Sequence, residues 1–541
     1  MYQVKQETLS LITRDGIRLD ADIYRPHSNE SFPILLMRQP YGKKIASTVV
    51  YAHPIWYASQ GYIVVIQDVR GRGTSQGKFE LFTNEIEDGF DTINWVSQLP
   101  KSTGTVGMYG FSYQGMTQLS AASAQPQALK TICPAMVAYD LYHDWAYENG
   151  AFCLQTNLSW AIQLSAETAR LKGDTIAFQK LYAASRNLPL SDPITAYPNL
   201  LKEVASDSFY HDWINHPYPD DYWAKLSPKT LLNKLDLPML HIGGWFDPYL
   251  RGTVNLYNAI KSHSNYPQNL IIGPWGHLPW SPQVGEKNYT KEAISFVDQY
   301  QIDWFDYILK GKDIDYLSSD PISLFEMGSN QWKYYQNWSH SQEKKYYIFS
   351  QGLANIREDN GKLIDKITDN NAIDIIVHDP WRPVPSLGGH ASIPSGSFER
   401  SSLDGRSDIL TYTSQPLTED LSITGTPFLE IYCTADAPSF DICAVLSEVL
   451  PDGKVYNFSQ GYVRINSDKL PIKLSLQPTF IKIIKGHCLR LSVSGACFPA
   501  YALNTGTGKL PHEEKLIEAK IITIKVWIQP DKLSKIILPI H

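Results

Sequence analysis

The chain has 541 residues, more than one hydrophobic core usually serves, so about two to four domains are expected. Hydrophobic residues at 43% against charged residues at 19% exclude a disordered chain. A net charge of −7 without any Lys/Arg run excludes nucleic acid and membrane surfaces as partners.

The longest apolar runs, such as Tyr62-Ile63-Val64-Val65-Ile66, fall far short of the roughly 20 residues of a membrane-spanning helix. The polar start, Met1 to Glu7, carries neither the basic nor the apolar segment of a signal peptide, so the chain reads as cytoplasmic. Cys133, Cys153, Cys433, Cys443, Cys488 and Cys497 show no CxxC or CxxH spacing, and read as small buried hydrophobes rather than zinc ligands or a disulfide framework.

From 1 to 138, strand-like runs over 32–37, 61–67 and 105–109 alternate with helical segments. One of these, 85–99, places Phe90, Ile93 and Val96 on a single face, and the alternation predicts a parallel sheet covered on both sides. Over 139–237 the strand runs vanish and Leu154, Leu158, Ala161, Ile162, Ser165 and Ala169 recur at helical spacing, which predicts an inserted helical cap. The sheet pattern resumes over 238–346, with strands at 238–242 and 269–272 and a helix over 292–309 that ends at Gly311. From 347 to 541 short strands over 428–434, 442–449, 454–465, 489–494 and 521–528, with a hairpin signal at Pro451-Asp452-Gly453, predict a jelly-roll β-sandwich.

Thr105 to Met116 reads as a strand, a Gly-x-Ser turn and a helix, the context of a nucleophile elbow with Ser112 at its tip. The match to G-x-S-x-G is imperfect, because Gln114 holds the second glycine position and Gly115 follows it. A serine needs a base to take its proton and a carboxylate to orient that base. In an α/β-hydrolase these follow in the order acid, then histidine, past later strands. Asp247 stands just past a strand and a Gly-Gly turn, and His277 just past the next strand. Taken singly, Asp247 could be a turn former and His277 an ordinary histidine, but order and strand-end placement agree across three segments.

Two other constellations read as structural. The Asp68–Gly77 loop has the spacing G-x-G-x-x-x-G and is followed by a poor crossover helix, which argues against a dinucleotide site. His211, His216, Asp220 and Asp221 lack the spacing that would put two rings on one helix face, and read as a solvated loop.

These residues resemble the CocE/NonD hydrolases, relatives of the α-amino acid ester hydrolases and, more distantly, of the Xaa-Pro dipeptidyl peptidases. The resemblance rests on Arg38-Gln39-Pro40-Tyr41, Arg70 to Gly77, Gly107 to Gly115, Gly243 to Asp247, Gly273 to His277, Pro383 to Gly389 and Cys497-Phe498-Pro499. The family elbow G-x-S-Y-x-G fits Gly110, Ser112, Tyr113 and Gly115. The resemblance implies Ser112 as nucleophile, His277 as base, Asp247 as its orienter, and an oxyanion hole made by the Tyr41 hydroxyl and the Tyr113 backbone N–H. It supports an α/β-hydrolase core with a helical cap and a C-terminal jelly roll.

It also implies an acyl pocket to which Trp160 and Tyr249 match approximately, with Trp145 close by. The amino ester hydrolases hold an ammonium with carboxylates, partly just after the triad aspartate. Here Pro248-Tyr249-Leu250 follow Asp247 without an acid. The expectation is a serine esterase or amidase on small carboxylic esters with an aromatic or branched acyl group, needing no metal or cofactor. Its partner is that small ester or amide, and a homodimer is compatible with the sequence but not specified by it. Two alternatives stand beside this: an Xaa-Pro dipeptidyl-peptidase-like or amino ester hydrolase, and an inactive hydrolase-like protein whose jelly roll binds carbohydrate. Residues 383–389 are expected to reach back toward the site from the C-terminal domain.

Overall fold

The computed structural model describes residues 1–541 except 45, 339–341, 368 and 468. Ten strands form its main sheet: β1 (Val4–Ile12), β2 (Arg18–Pro26), β3 (Phe32–Gln39), β4 (Ile63–Asp68), β5 (Ser102–Phe111), β6 (Leu129–Ala135), β7 (Met239–Phe246), β8 (Gln268–Gly276), β9 (Ile322–Glu326) and β10 (Gln331–Tyr335). Their order is β1-β2-β4-β3-β5-β6-β7-β8-β9-β10. From β4 to β9 every neighbouring pair is parallel, and antiparallel strands close both edges. β3, β7 and β8 are buried along their whole length, as continuous apolar runs covered on both faces should be.

Between β6 and β7 the chain leaves the sheet and forms the cap, with helices at Leu154–Lys172, Thr175–Arg186, Asn199–Val204, Phe209–Asn215, Asp221–Leu226 and Pro228–Leu231. Leu154, Leu158, Ala161 and Ile162 are buried in one cluster with Trp213 and Trp223, so the predicted helical face is the face that packs. The helix predicted over 292–309 spans Val297–Lys310 and ends, as expected, on left-handed Gly311. Its start is later than predicted because Lys291–Ala293 is a separate 3-10 turn and Ile294 is extended.

The C-terminal region is β-rich, with an eleven-stranded sheet and a three-stranded one. The strand predicted over 428–434 is divided between them. Phe428–Ile431 joins the large sheet and Cys433–Ala435 the small one, and the break falls at Tyr432, whose N–H bonds the Ser534 hydroxyl at 2.9 Å. A corner of this kind lets one run switch sheets.

The two halves share one core. Trp245, Leu250, Leu270, Ile272 and Leu324 belong to the same apolar cluster as Ile423, Leu429, Phe480 and Ile481. Backbone bonds cross the join as well: Met327 N to Phe480 O at 3.0 Å and Lys482 N to Met327 O at 2.8 Å. A chain ending before Gln342 therefore strips the cover from a fully buried face. It is expected to aggregate, as measured by light scattering; a soluble, monomeric fragment would contradict the shared core.

Candidate active site

β5 ends at Phe111, the helix Tyr113–Ser123 starts two residues later, and Ser112 lies between them at φ 58° and ψ −126°. Such a backbone costs a residue with a Cβ about 1–3 kcal/mol, and it is the turn that lifts a serine hydroxyl above a sheet. The surroundings hold it there. Ser112 N donates to Ala135 O at 2.9 Å, and Ser112 O accepts from Gly115 N and Met116 N, both at 2.9 Å. Strand and helix approach so closely that a Cβ at Gly115 would stand 2.3 Å from Val137 Cγ1. Gln114 fits because Gly110 makes room, since a Cβ there would lie 2.5 Å from Gln114 Cβ. The small residues this elbow needs are thus 110 and 115.

Beneath the turn, the Tyr113 hydroxyl donates to Glu85 Oε1 at 2.7 Å. Glu85 pairs with Arg38 at 2.7 Å, and Arg38 Nε donates to Gln67 Oε1 at 2.8 Å. All four side chains are buried. Burial pushes the Glu85 carboxyl up, against the pull of Arg38. The Tyr113 ring is turned into this network between Phe79 and Phe82. Its backbone N–H lies in the first turn of the helix, ahead of the intrahelical bonds.

Asp247 follows β7 and His277 follows β8, at adjacent strand ends. Their side chains meet, His277 Nδ1 to Asp247 Oδ1, at 2.8 Å. Asp247 is fully buried, and its Oδ2 accepts from Tyr249 N at 3.2 Å. Burial raises the Asp247 carboxyl above its ordinary value while the bond from His277 opposes the shift. Ser112 and His277 line one cavity, of about 710 Å³, and no hydrogen bond joins Ser112 to the ring among the described residues. Such contacts commonly tighten only once substrate is bound.

Tyr41, Trp145, Trp160 and Tyr249 line the same cavity. Trp145 stacks on Tyr249 at 4.1 Å between ring centres and lies 5.3 Å from Trp160. Trp160 is more than a wall, because its Nε1 donates to the Tyr41 hydroxyl oxygen at 3.0 Å. Burial lifts the Tyr41 phenol to about 12, so it keeps its proton at neutral pH. With its oxygen already accepting from Trp160, that proton is available to the cavity. None of the described residues lining the cavity is acidic.

The C-terminal domain supplies part of this cavity through residues 390–395, which sequence reasoning missed by one position. Residues 383–389, expected to reach the site, do not line it: Ser386 N bonds Phe498 O at 2.7 Å, joining two of the segments that carried the family resemblance. The closeness is marked at Gly276, where a Cβ would lie 2.5 Å from Ser395 Oγ. Gln477, also unforeseen, donates from Nε2 to the Asp247 carbonyl at 2.7 Å. The two constellations set aside from the sequence have structural partners. Asp68 accepts from Thr74 N within its own loop and from Lys43 N in the segment after β3, His216 pairs with Asp220 at 2.6 Å, and His211 bonds Tyr197 at 2.9 Å.

Residues 15–279 match the family model described as X-Pro dipeptidyl-peptidase (S15 family), and residues 317–530 match its C-terminal non-catalytic domain. The chain is also similar to cocaine esterase from Rhodococcus sp. (strain MB1 Bresler), 29% identical over 97% of each chain. These matches support the resemblance to the CocE/NonD hydrolases carried by the sequence motifs. Family likeness extends to solved structures at the level of fold. An aminopeptidase from the marine sediment archaeon Thaumarchaeota archaeon superposes with a TM-score of 0.83 at 22% identity, over 100% of this chain and 97% of the other. A CocE/NonD family hydrolase from Staphylococcus aureus gives 0.70 at 17%, over 99% and 94%.

One buried carboxylate ties the three regions of the chain together. Glu148, in the cap, pairs with Arg251 after β7 at 2.8 Å and with His390 of the C-terminal domain at 2.9 Å. It also accepts from the Tyr501 hydroxyl at 2.6 Å and from Tyr462 N at 3.1 Å. Burial would raise its pKa, but Arg251 and His390 hold the carboxyl well below the usual range. A carboxyl depressed on folding stabilises above its unfolded pKa and loses that contribution as pH falls through the folded one. Glu148→Gln leaves Arg251 buried without a countercharge and is expected to cost about 3–5 kcal/mol at pH 7. The deficit should shrink as the pH drops below 4, which urea denaturation at pH 7 and pH 3 would measure; a deficit equal at both would contradict the ionised cluster.

Proposed function

We propose that the chain is a serine hydrolase of small carboxylic esters, with Ser112 as nucleophile, His277 as base and Asp247 as orienter. The observation that carries this is the 2.8 Å His277–Asp247 pair, set at the mouth of a strained serine turn in one cavity. Asp247 accepts a hydrogen bond from the Nδ1–H of His277, which fixes the tautomer that leaves Nε2 as the acceptor for the Ser112 hydroxyl proton when Oγ attacks the ester carbonyl. The developing oxyanion receives hydrogen bonds from the Tyr41 hydroxyl and the Tyr113 N–H. Collapse expels the alcohol, protonated by His277, and leaves an acyl group on Ser112. Water, deprotonated by the same ring, then releases the acid.

The acyl side of the substrate is read by Trp145, Trp160 and Tyr249, with Phe111 and Ile393 completing an apolar surface. That surface favours an aromatic or branched acyl group. An α-ammonium group would need a carboxylate, and the described lining offers none. Glu148 stands behind His390 and is already engaged by Arg251. The reading therefore favours neutral acyl esters over amino esters and Xaa-Pro amides.

Residues that act as a unit are not additive. Ser112→Ala and the double variant Ser112→Ala/His277→Ala are expected to lose nearly the same factor in kcat, measured with 4-nitrophenyl benzoate. A double variant far slower than Ser112→Ala would break the assignment. Tyr41→Phe removes one donor to the oxyanion and should lower kcat by roughly 10²–10³ with little change in KM. A raised KM at unchanged kcat would make Tyr41 a binding residue. Faster turnover of the matching α-amino ester than of the benzoate would overturn the substrate class.

A further inference from the structure

A second cavity, of about 760 Å³, lies between the loop after β4 and the cap. Trp160 separates it from the catalytic cavity: its ring faces the catalytic side and lies 4.9 Å from Phe209, which lines the second cavity. Phe79, Leu81, Leu164 and Phe209 give the second cavity an apolar side, Ser165 and Thr168 add hydroxyls, and charged side chains that include Lys78, Glu80, Asp207, Asp212 and Lys225 line the rest.

Arg72 lines this cavity and is only 1% exposed. Each of the other buried arginines has a carboxylate: Arg38 has Glu85 at 2.7 Å, while Arg400 and Arg490 share Asp404 at 2.9 and 3.4 Å. Arg72 has none within 4 Å among the described residues. Its Nη1 donates to Leu164 O at 3.1 Å, its plane lies over Phe79 with Cζ 3.8 Å from the ring centre, and its Nε is buried without a partner. Burial lowers its pKa to about 10, which leaves it a cation at neutral pH. Of the acids in the lining, Asp207 pairs with Lys172 at 2.7 Å and Glu80 with Lys78 at 2.8 Å, and Asp212 makes no ion pair with Arg72 among the described residues. A buried cation is costly unless paired, and a guanidinium presents its free N–H groups to a planar carboxylate. The fold supplies the cation, the space and an apolar side, and among the described residues sets no carboxylate against the cation.

We propose that this cavity is a second binding site, for a small carboxylic acid with an apolar body whose carboxylate pairs with Arg72. A phosphate is a poorer fit, since one buried guanidinium leaves most of its charge unmet and Glu80, Asp207 and Asp212 in the same lining repel a dianion. The site does not depend on the catalytic assignment, because its residues take no part in that chemistry.

Benzoate titrated into the full-length protein by calorimetry is expected to bind saturably, and neutral benzamide at least tenfold more weakly. Arg72→Met should weaken benzoate at least tenfold. Thr168→Trp, which obstructs the cavity and leaves Arg72 in place, should do the same and decides the matter if Arg72→Met does not fold. Photo-crosslinking with 4-benzoylbenzoate, mapped by peptide mass spectrometry, should label residues 206–226. Absence of saturable benzoate binding, equal binding of benzamide, or equal competition by inorganic phosphate would overturn the proposal. So would crosslinks confined to residues 390–395, which would put the acid in the catalytic cavity whether or not Ser112 is the nucleophile.

Discussion

A fully buried carboxylate, Asp247, sits where two domains meet, and the arrangement of the site follows from how that charge is held. Taking a carboxylate out of water is expensive unless its oxygens are met by donors. Here one oxygen receives the ring N–H of His277 and the other the backbone N–H of Tyr249. The peptide carbonyl of the same residue is fixed by Gln477, from a strand connection of the C-terminal domain. The imidazole is therefore aimed by a group that is itself anchored across the domain boundary. The shared apolar core and the Met327 backbone bonds keep that boundary from sliding.

A second constraint works from the opposite side of the cavity. The strained backbone at Ser112 persists only if its surroundings over-determine it, and they do so through the close contact at Gly115 and the buried Arg38–Glu85–Tyr113 chain. This gives the segment Arg38-Gln39-Pro40-Tyr41 two jobs separated by three residues. Arg38 supports the elbow from below, and Tyr41 points its hydroxyl into the cavity from the side. Trp160 joins the two constraints, since it walls the cavity and also occupies the Tyr41 oxygen. A change at Trp160 thus alters both the shape of the pocket and the direction of the Tyr41 proton.

Ser112, Asp247 and His277 were legible in the sequence because each closes an apolar strand, and strand ends on one edge of a parallel sheet are brought together by topology alone. The helical cap was legible from its 3.6-residue period. Gln477, His390 and Glu148 were not, because each acts through a contact with a segment at least 230 residues away and none lies in a pattern that signals its partner. The G-x-S-x-G mismatch at Gln114 resolved only in three dimensions, where the place that must stay empty is set by Val137 and belongs to residue 115. The Asp68–Gly77 loop read as structural, and Asp68 does accept from Thr74 N inside it. Yet its Arg72 side chain reaches a cavity that no spacing rule could have announced, because that cavity is walled by cap helices far along the chain.

The central claim is that the C-terminal domain is part of the catalytic apparatus through Gln477. Gln477→Leu keeps the side chain's bulk and removes its bond to the Asp247 carbonyl. The kinetics of this variant with 4-nitrophenyl benzoate test the claim most directly, with the melting temperature as control. The account predicts kcat lowered by roughly tenfold or more, KM little changed and a fold still intact, as expected when a group that orients the base is loosened by a fraction of an ångström. Wild-type kcat in a folded Gln477→Leu protein would contradict it and make the C-terminal domain a cover rather than a part of the site.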